Sequence, residues 1–310
     1  LGAICQFNHS NALLSNIYII NFMAKISNKN QRKGMLLAFT GIMFITPDSL
    51  LIRLASIDSW NLIFYRGLIP FLTILIGLLF IYKSSLIKKI LDNGWHGLFF
   101  ILTFAITSIV FVISIENTNV ANTLVMVALA PMLSAIISLI FLKENPDKKT
   151  WIAIAITTLA VIYIFYDAID SGDFLGNFLG LVCATGLAVN AVIIRSAKKI
   201  SLVPSAMIGK LIVALFAFIF VDQIKLENND LIIVPLMCVA CIAIPFVCVT
   251  LAPRYITAAE VNLFFLLETI FGPFWVWLVI KEQPSFETII GGGIIIATIT
   301  IHSALALKKN

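Results

Sequence analysis

Ten apolar runs, each close to the length that crosses a bilayer and each ended by a short cluster of charges, leave this 310-residue chain few ways to fold. In hydrocarbon every backbone N–H and C=O must find a partner within the protein, so a run of about 20 apolar residues reads as a spanning helix. The runs cover residues 34–56, 60–82, 94–115, 119–142 and 151–166, then 174–194, 203–221, 231–251, 256–280 and 286–307. Composition agrees, since 60% of the residues are hydrophobic and 12% charged, against roughly 45–50% apolar residues in soluble domains. The expected fold class is all-α: a polytopic membrane protein of ten transmembrane helices joined by short connections.

The net charge of +5 does not point to nucleic acid, because the basic residues stand in twos and threes at the ends of apolar runs. That is the pattern of membrane orientation. If the N-terminus is cytoplasmic and ten helices alternate, sixteen of the 21 Lys and Arg residues fall inside, from Lys25 to Lys309. Three (Arg53, Lys225, Lys281) fall outside with the acidic stretch Asp167 to Asp173, and two (Arg66, Lys210) lie within helices. This bias supports an even number of helices and both termini in the cytoplasm; the expected location is the inner membrane of a bacterium. Residues 1–33 read as an N-terminal extension: Ala12 to Met23 is apolar but too short to span, and Met23-Ala24-Lys25 looks like a natural start.

Several residue types that suggest chemistry read better as packing. Cys183, Cys238, Cys241 and Cys248 lie inside apolar runs, and the Cys238–Cys241 pair lacks the second pair and the His ligands of a metal site. Gly291-Gly292-Gly293 lacks the Lys and Ser/Thr of a phosphate loop and suits close helix packing. Trp275 and Trp277 read as packing or lipid-facing residues. His9, His96 and His302 are dispersed, and no paired carboxylate motif is present. No catalytic group, metal or cofactor is therefore expected.

The chain also matches itself. At an offset of 142, Leu51-Ile52-Arg53-Leu54-Ala55 falls on Ile193-Ile194-Arg195-Ser196-Ala197; at 138, Lys143-Glu144-Asn145-Pro146 falls on Lys281-Glu282-Gln283-Pro284. Helices 1–5 thus correspond to helices 6–10, giving two halves, 34–167 and 174–307. Five is odd, so the second half is expected to cross in the opposite sense, as in the inverted repeats of secondary transporters.

Certain phrases carry a family resemblance. Thr46-Pro47-Asp48-Ser49-Leu50-Leu51-Ile52-Arg53, Phe64-Tyr65-Arg66-Gly67, Pro131 followed by Leu142-Lys143-Glu144, and Leu266-Leu267-Glu268 followed by Ile280-Lys281-Glu282 resemble the drug/metabolite transporter superfamily in its EamA-type branch. Over residues 34–307 the resemblance implies ten helices, two EamA-like halves, a central cavity, and export or exchange of metabolites. Thr269 departs from the pattern, because family members often carry Pro after the helix 9 Glu, and a helix break there is thrown into question.

Charges inside the apolar runs are the leading site candidates, because a charged residue at the centre of a spanning helix costs about 2.5–3.5 kcal/mol on insertion scales. At about 1.5 Å per residue, Asp48 and Arg66 both stand roughly 10 Å below the outer surface, and they can pair as a strut or as a gate. The repeat sends Asp48 to Asn190 and, with two extra loop residues, Arg66 to Lys210. Lys210 then stands near Glu260 on the inner side, and a second, inner gate pair Glu260–Lys210 is expected. Glu268 sits mid-helix with no neutralising neighbour in sequence. It is placed to exchange a proton, to bind a substrate amine, or to make one interhelical hydrogen bond. Asn122, Thr123, Asn190 and Asn262 are further candidates, each equally readable as interhelical glue.

Together these features predict a transporter of small polar metabolites, amino-acid-like or drug-like, working by alternating access as an exporter or exchanger. The expected partners are the substrate, the bilayer, protons as a candidate coupling ion, and a second copy of the chain. A membrane enzyme acting on a lipid-linked substrate and a non-transporting scaffold are the alternatives.

Overall fold

A computed structural model describes residues 30–117, 120–165, 174–226, 229–281 and 286–308. The extension up to residue 29, its start at Met23 included, and the acidic stretch 167–173 lie outside the described residues. Among the described residues the regular structure is helical and no strand occurs. Helix α1 (30–45) continues after a two-residue turn as α2 (Asp48–Leu54). It is followed by α3 (Ser59–Tyr82), α4 (Leu86–Leu91), α5 (Gly94–Asn117), α6 (Val120–Val127), α7 (Ala130–Phe141) and α8 (Lys148–Phe165). Then come α9 (Phe174–Ser196), α10 (Val203–Phe218), α11 (Asp230–Leu236), a π-helical turn at Met237–Ala243, α12 (Ile244–Leu251), α13 (Ala258–Phe265), α14 (Glu268–Ile280) and α15 (Phe286–Lys308).

Six stretches among the described residues are long and apolar enough to cross a membrane, starting at Asn30, Ser59, Gly94, Phe174, Asp230 and Ala258. Ala130–Phe141, Val203–Phe218 and Ile289–His302 are shorter apolar helices. Large apolar side chains such as Phe80, Phe141, Ile219 and Ile232 stand exposed on the outside, which suits contact with lipid and would be costly in water.

The two largest apolar cores among the described residues each draw on both halves of the sequence. The first joins α1, α6, α7 and α8 to α13 and α15 through residues such as Ile42, Leu124, Ile154, Leu263 and Ile295. The second joins α3 and α5 to α10 and the π-helical turn through Ile63, Val112, Val213 and Met237. Helix α9 runs beside α5, α6, α7 and α13.

The approach of α3 to α10 depends on Gly67. A Cβ there would stand 2.5 Å from the Ala214 backbone nitrogen and 2.8 Å from the Lys210 carbonyl oxygen, so both obstacles are backbone. Gly67→Ala is expected to cost about 1–3 kcal/mol by overpacking and to lower the thermal midpoint by about 5 °C. Thermal unfolding in detergent reads this directly.

Three helices break inside the bundle. Pro47 ends α1 and stands as N-cap of α2; proline lacks the N–H that a continuing helix needs. Pro131 lies in the first turn of α7, following the break at Ala128-Leu129. The third break, at Leu266-Leu267, has no proline beside it: the Leu266 and Leu267 amides donate to Leu263 O and Phe264 O in a tightened turn of 3.2 and 3.0 Å. At Thr269 itself the helix is unbroken, as the missing proline there suggests, and the break lies just before Glu268. The offset of 138 that aligns Lys143-Glu144 with Lys281-Glu282 also carries the break at Ala128-Leu129 onto Leu266-Leu267.

Candidate functional site

Each break exposes the start of a half-helix, where backbone amides lack intrahelical acceptors and the helix dipole favours negative charge. Asp48 opens α2 and Glu268 opens α14, so two carboxylates sit at such starts. Both line one cavity of about 160 Å³ between the two cores, together with Arg66, Asn190, Lys210 and Asn262. Six of the nine residues singled out from sequence are thereby brought to a single place.

Asp48 and Arg66 form a forked ion pair: Arg66 Nη1 donates to Asp48 Oδ1 and Nη2 to Oδ2, each at 2.7 Å. Both side chains are nearly enclosed, at 11% and 5% exposure for Arg66 and Asp48, so the pair is desolvated and mutually neutralised. Arg66 Nη1 also lies 3.3 Å from Met237 Sδ in the π-helical turn. Such turns within helices often mark functional positions.

Lys210 and Glu268 are not neutralised in this way. Lys210 is buried, with Nζ 3.4 Å from Ser108 Oγ and 4.9 and 5.8 Å from the ring centres of Phe104 and Phe246. Aromatic faces attract a cation but do not cancel its charge. Glu268 is also buried, and among the described residues no hydrogen bond or ion pair reaches its carboxyl. Lys210 and Glu268 line the same cavity as the neutral pair. Two further polar atoms want partners: Asn262 Nδ2 and Thr250 Oγ1 are buried on cavity-lining residues, and no described group bonds to either. Leaving such an atom unpaired costs about 1–3 kcal/mol.

The expected pairing of Glu260 with Lys210 is not found. Glu260 closes a capping box at the start of α13: Thr257 N and Oγ1 each donate to Glu260 Oε2 at 2.8 Å, and Glu260 N donates to Thr257 Oγ1 at 3.2 Å. Its carboxylate is thus consumed locally, away from the cavity lining. Thr123 also lies off the cavity; its hydroxyl meets Ser114 Oγ at 2.8 Å, and Ser114 donates to Gly176 O at 2.8 Å, tying α5, α6 and α9 together. The side chain of Asn122 lies outside the described residues. Asn190 lines the cavity, and its Oδ1 accepts from Thr103 Oγ1 at 2.5 Å.

The structure adds residues that the sequence did not single out. Phe104, Phe246, Ser108, Thr107 and Thr250 all line the cavity. Trp275, expected to pack or face lipid, donates from Nε1 to Thr46 Oγ1 at 2.9 Å and so braces the first helix break. The spacing of Thr46 and Trp275 gives no clue to this contact, since 229 positions separate them.

The profile of the EamA-like transporter family matches residues 28–166 and again 174–304. No curated protein matches the chain. Among solved structures, a crystal structure of a protein shares the fold with a TM-score of 0.74 at 14% identity, over 89% of this chain and 98% of that chain. At that identity the likeness speaks for the fold alone.

Proposed function

Since the chain belongs to the EamA-like transporter family, whose members are transporters rather than enzymes, we propose that it carries a small zwitterionic metabolite of amino-acid type. One observation carries the reading: two buried, opposite and unpaired charges, Lys210 and Glu268, share a cavity with an already neutral ion pair. A substrate carboxylate at Lys210 and a substrate ammonium at Glu268 would satisfy both, and Asn262 and Thr250 would meet the remaining polar atoms. The half-helix starts at Asp48 and Glu268 fit the broken-helix sites of secondary transporters.

The proposal includes ten spans in two inverted halves, 34–167 and 174–307, with both termini in the cytoplasm of a bacterial inner membrane. The bias of basic residues and the 138-residue correspondence of two helix breaks support it. Transport proceeds by alternating access in the export or exchange direction, and Glu268 is the residue through which protons couple to it.

Flux into proteoliposomes tests the substrate class. Pooled amino acids should be carried, whereas monocarboxylates and monoamines of similar size should not; equal flux of either single-charge class would overturn the reading. Lys210→Gln removes one charged contact, worth about 1.5–3 kcal/mol, so it should raise the substrate KM by about 10- to 100-fold.

A further inference from the structure

Arg195, at the end of α9, makes four contacts that tie three parts of the chain together. Its Nε donates to both carboxylate oxygens of Glu144, at 3.1 and 3.0 Å, in the turn after α7. Its Nη1 reaches Pro253 O at 3.4 Å and Ile256 O at 3.3 Å, in the link between α12 and α13. The cavity wall runs up to this knot: Ile194, the neighbour of Arg195, and Pro253, which accepts its bond, both line the cavity. An opening at this end must part α9 from Pro253 and so must break these contacts.

We propose that Arg195 and Glu144 form a gate that holds this end of the cavity closed. The proposal rests on the transport reading above, since a gate needs a path. The clamp is suited to opening, because the side chains are 16% and 32% exposed and water can take over their bonds at modest cost. The repeat adds a second observation. Arg195 lies in one self-matching phrase and Glu144 in the other, so the two matches that disclose the repeat contain the two halves of the clamp. Their sequence counterparts are Arg53 and Glu282, whose side chains lie outside the described residues. The gate therefore replaces the expected Glu260–Lys210 pair.

Two native thiols report on the gate, because Cys183 and Cys241 line the cavity and are buried. The full-length protein in vesicles would be treated with a membrane-impermeant maleimide from either face, and labelling of each cysteine followed by peptide mass spectrometry. Arg195→Gln should speed labelling of Cys183 and Cys241 roughly tenfold, only from the face that carries Lys198 and Lys199. Glu144→Gln keeps the carbonyl contacts and should give a smaller rise of about threefold. Unchanged labelling in both variants overturns the gate and leaves the clamp a static brace. If Arg195→Gln is labelled faster from both faces, its fold has loosened; the Glu144→Gln result then decides, a one-sided rise supporting the gate and no rise overturning it. No substrate is needed, so the gate can fail while zwitterion flux stands, and flux can fail while the gate stands.

Discussion

Glu268→Gln is expected to lower flux of a zwitterionic substrate by roughly a hundredfold and to abolish any acceleration by a pH gradient. The size follows from removing one partner of a buried charge contact, which costs about 2–5 kcal/mol, with 1.4 kcal/mol for each factor of ten. Glutamine keeps the shape of the side chain and takes no charge into the buried site, so the fold should survive and the thermal midpoint should move little. Proteoliposome flux with and without a gradient, beside thermal unfolding, separates the outcomes. Full flux in the variant would take Glu268 out of the transport path and leave it as a buried structural carboxyl. Retained flux without gradient dependence would keep it as the proton site but remove it from substrate binding.

Asp48→Ala should be the most destabilising single change in the cavity. It leaves the Arg66 guanidinium, 11% exposed, without the carboxylate that neutralises it, and breaking a buried pair from one side costs about 3–5 kcal/mol. A drop of about 10 °C in thermal midpoint is expected. The double change Asp48→Ala with Arg66→Ala should recover a large part of that loss, because no uncompensated charge remains. Equal midpoints for the single and double variants would contradict this account. Flux in the double variant separates two roles: persistence reduces the pair to a strut between α2 and α3, whereas silence gives it a part in transport.

The helices were legible because their signal is the crudest one a sequence carries. A run of apolar residues long enough to span needs no tertiary information; the breaks inside the runs 34–56 and 119–142 escaped the sequence reading, although Pro47 and Pro131 lack the amide that a continuing helix needs. At Leu266-Leu267 no proline marks the break, since Phe264 to Phe271 is apolar apart from Glu268 and Thr269 and holds none; the family resemblance raised a break close by, and Thr269 spoke against it. Counting residues from a helix end gives the depth of a side chain but not the direction in which it faces. This served for Asp48 and Arg66, which meet, and failed for Glu260. That residue's fate was written nearby: Thr257-Ala258-Ala259-Glu260 is the pattern of a capping box. Arg195 and Glu144 entered the sequence reading as members of the two self-matching phrases, but nothing in the spacing of 51 positions shows that they meet. Thr250, Phe104 and Phe246 gave no sequence signal, because nothing distinguishes a cavity-facing apolar or hydroxyl side chain from one that packs against a neighbouring helix.

The close approach at Gly67 fixes more than two backbones. Arg66 is its neighbour and Lys210 supplies one of the oxygens it nearly touches, so both cavity cations ride on the α3–α10 core, while Glu268 and Asn262 belong to helices of the other core. A zwitterion held between Lys210 and Glu268 is then a gauge laid across the seam. The spacing of its own two charges sets how near the cores can draw together, and selectivity becomes a matter of length as much as of charge.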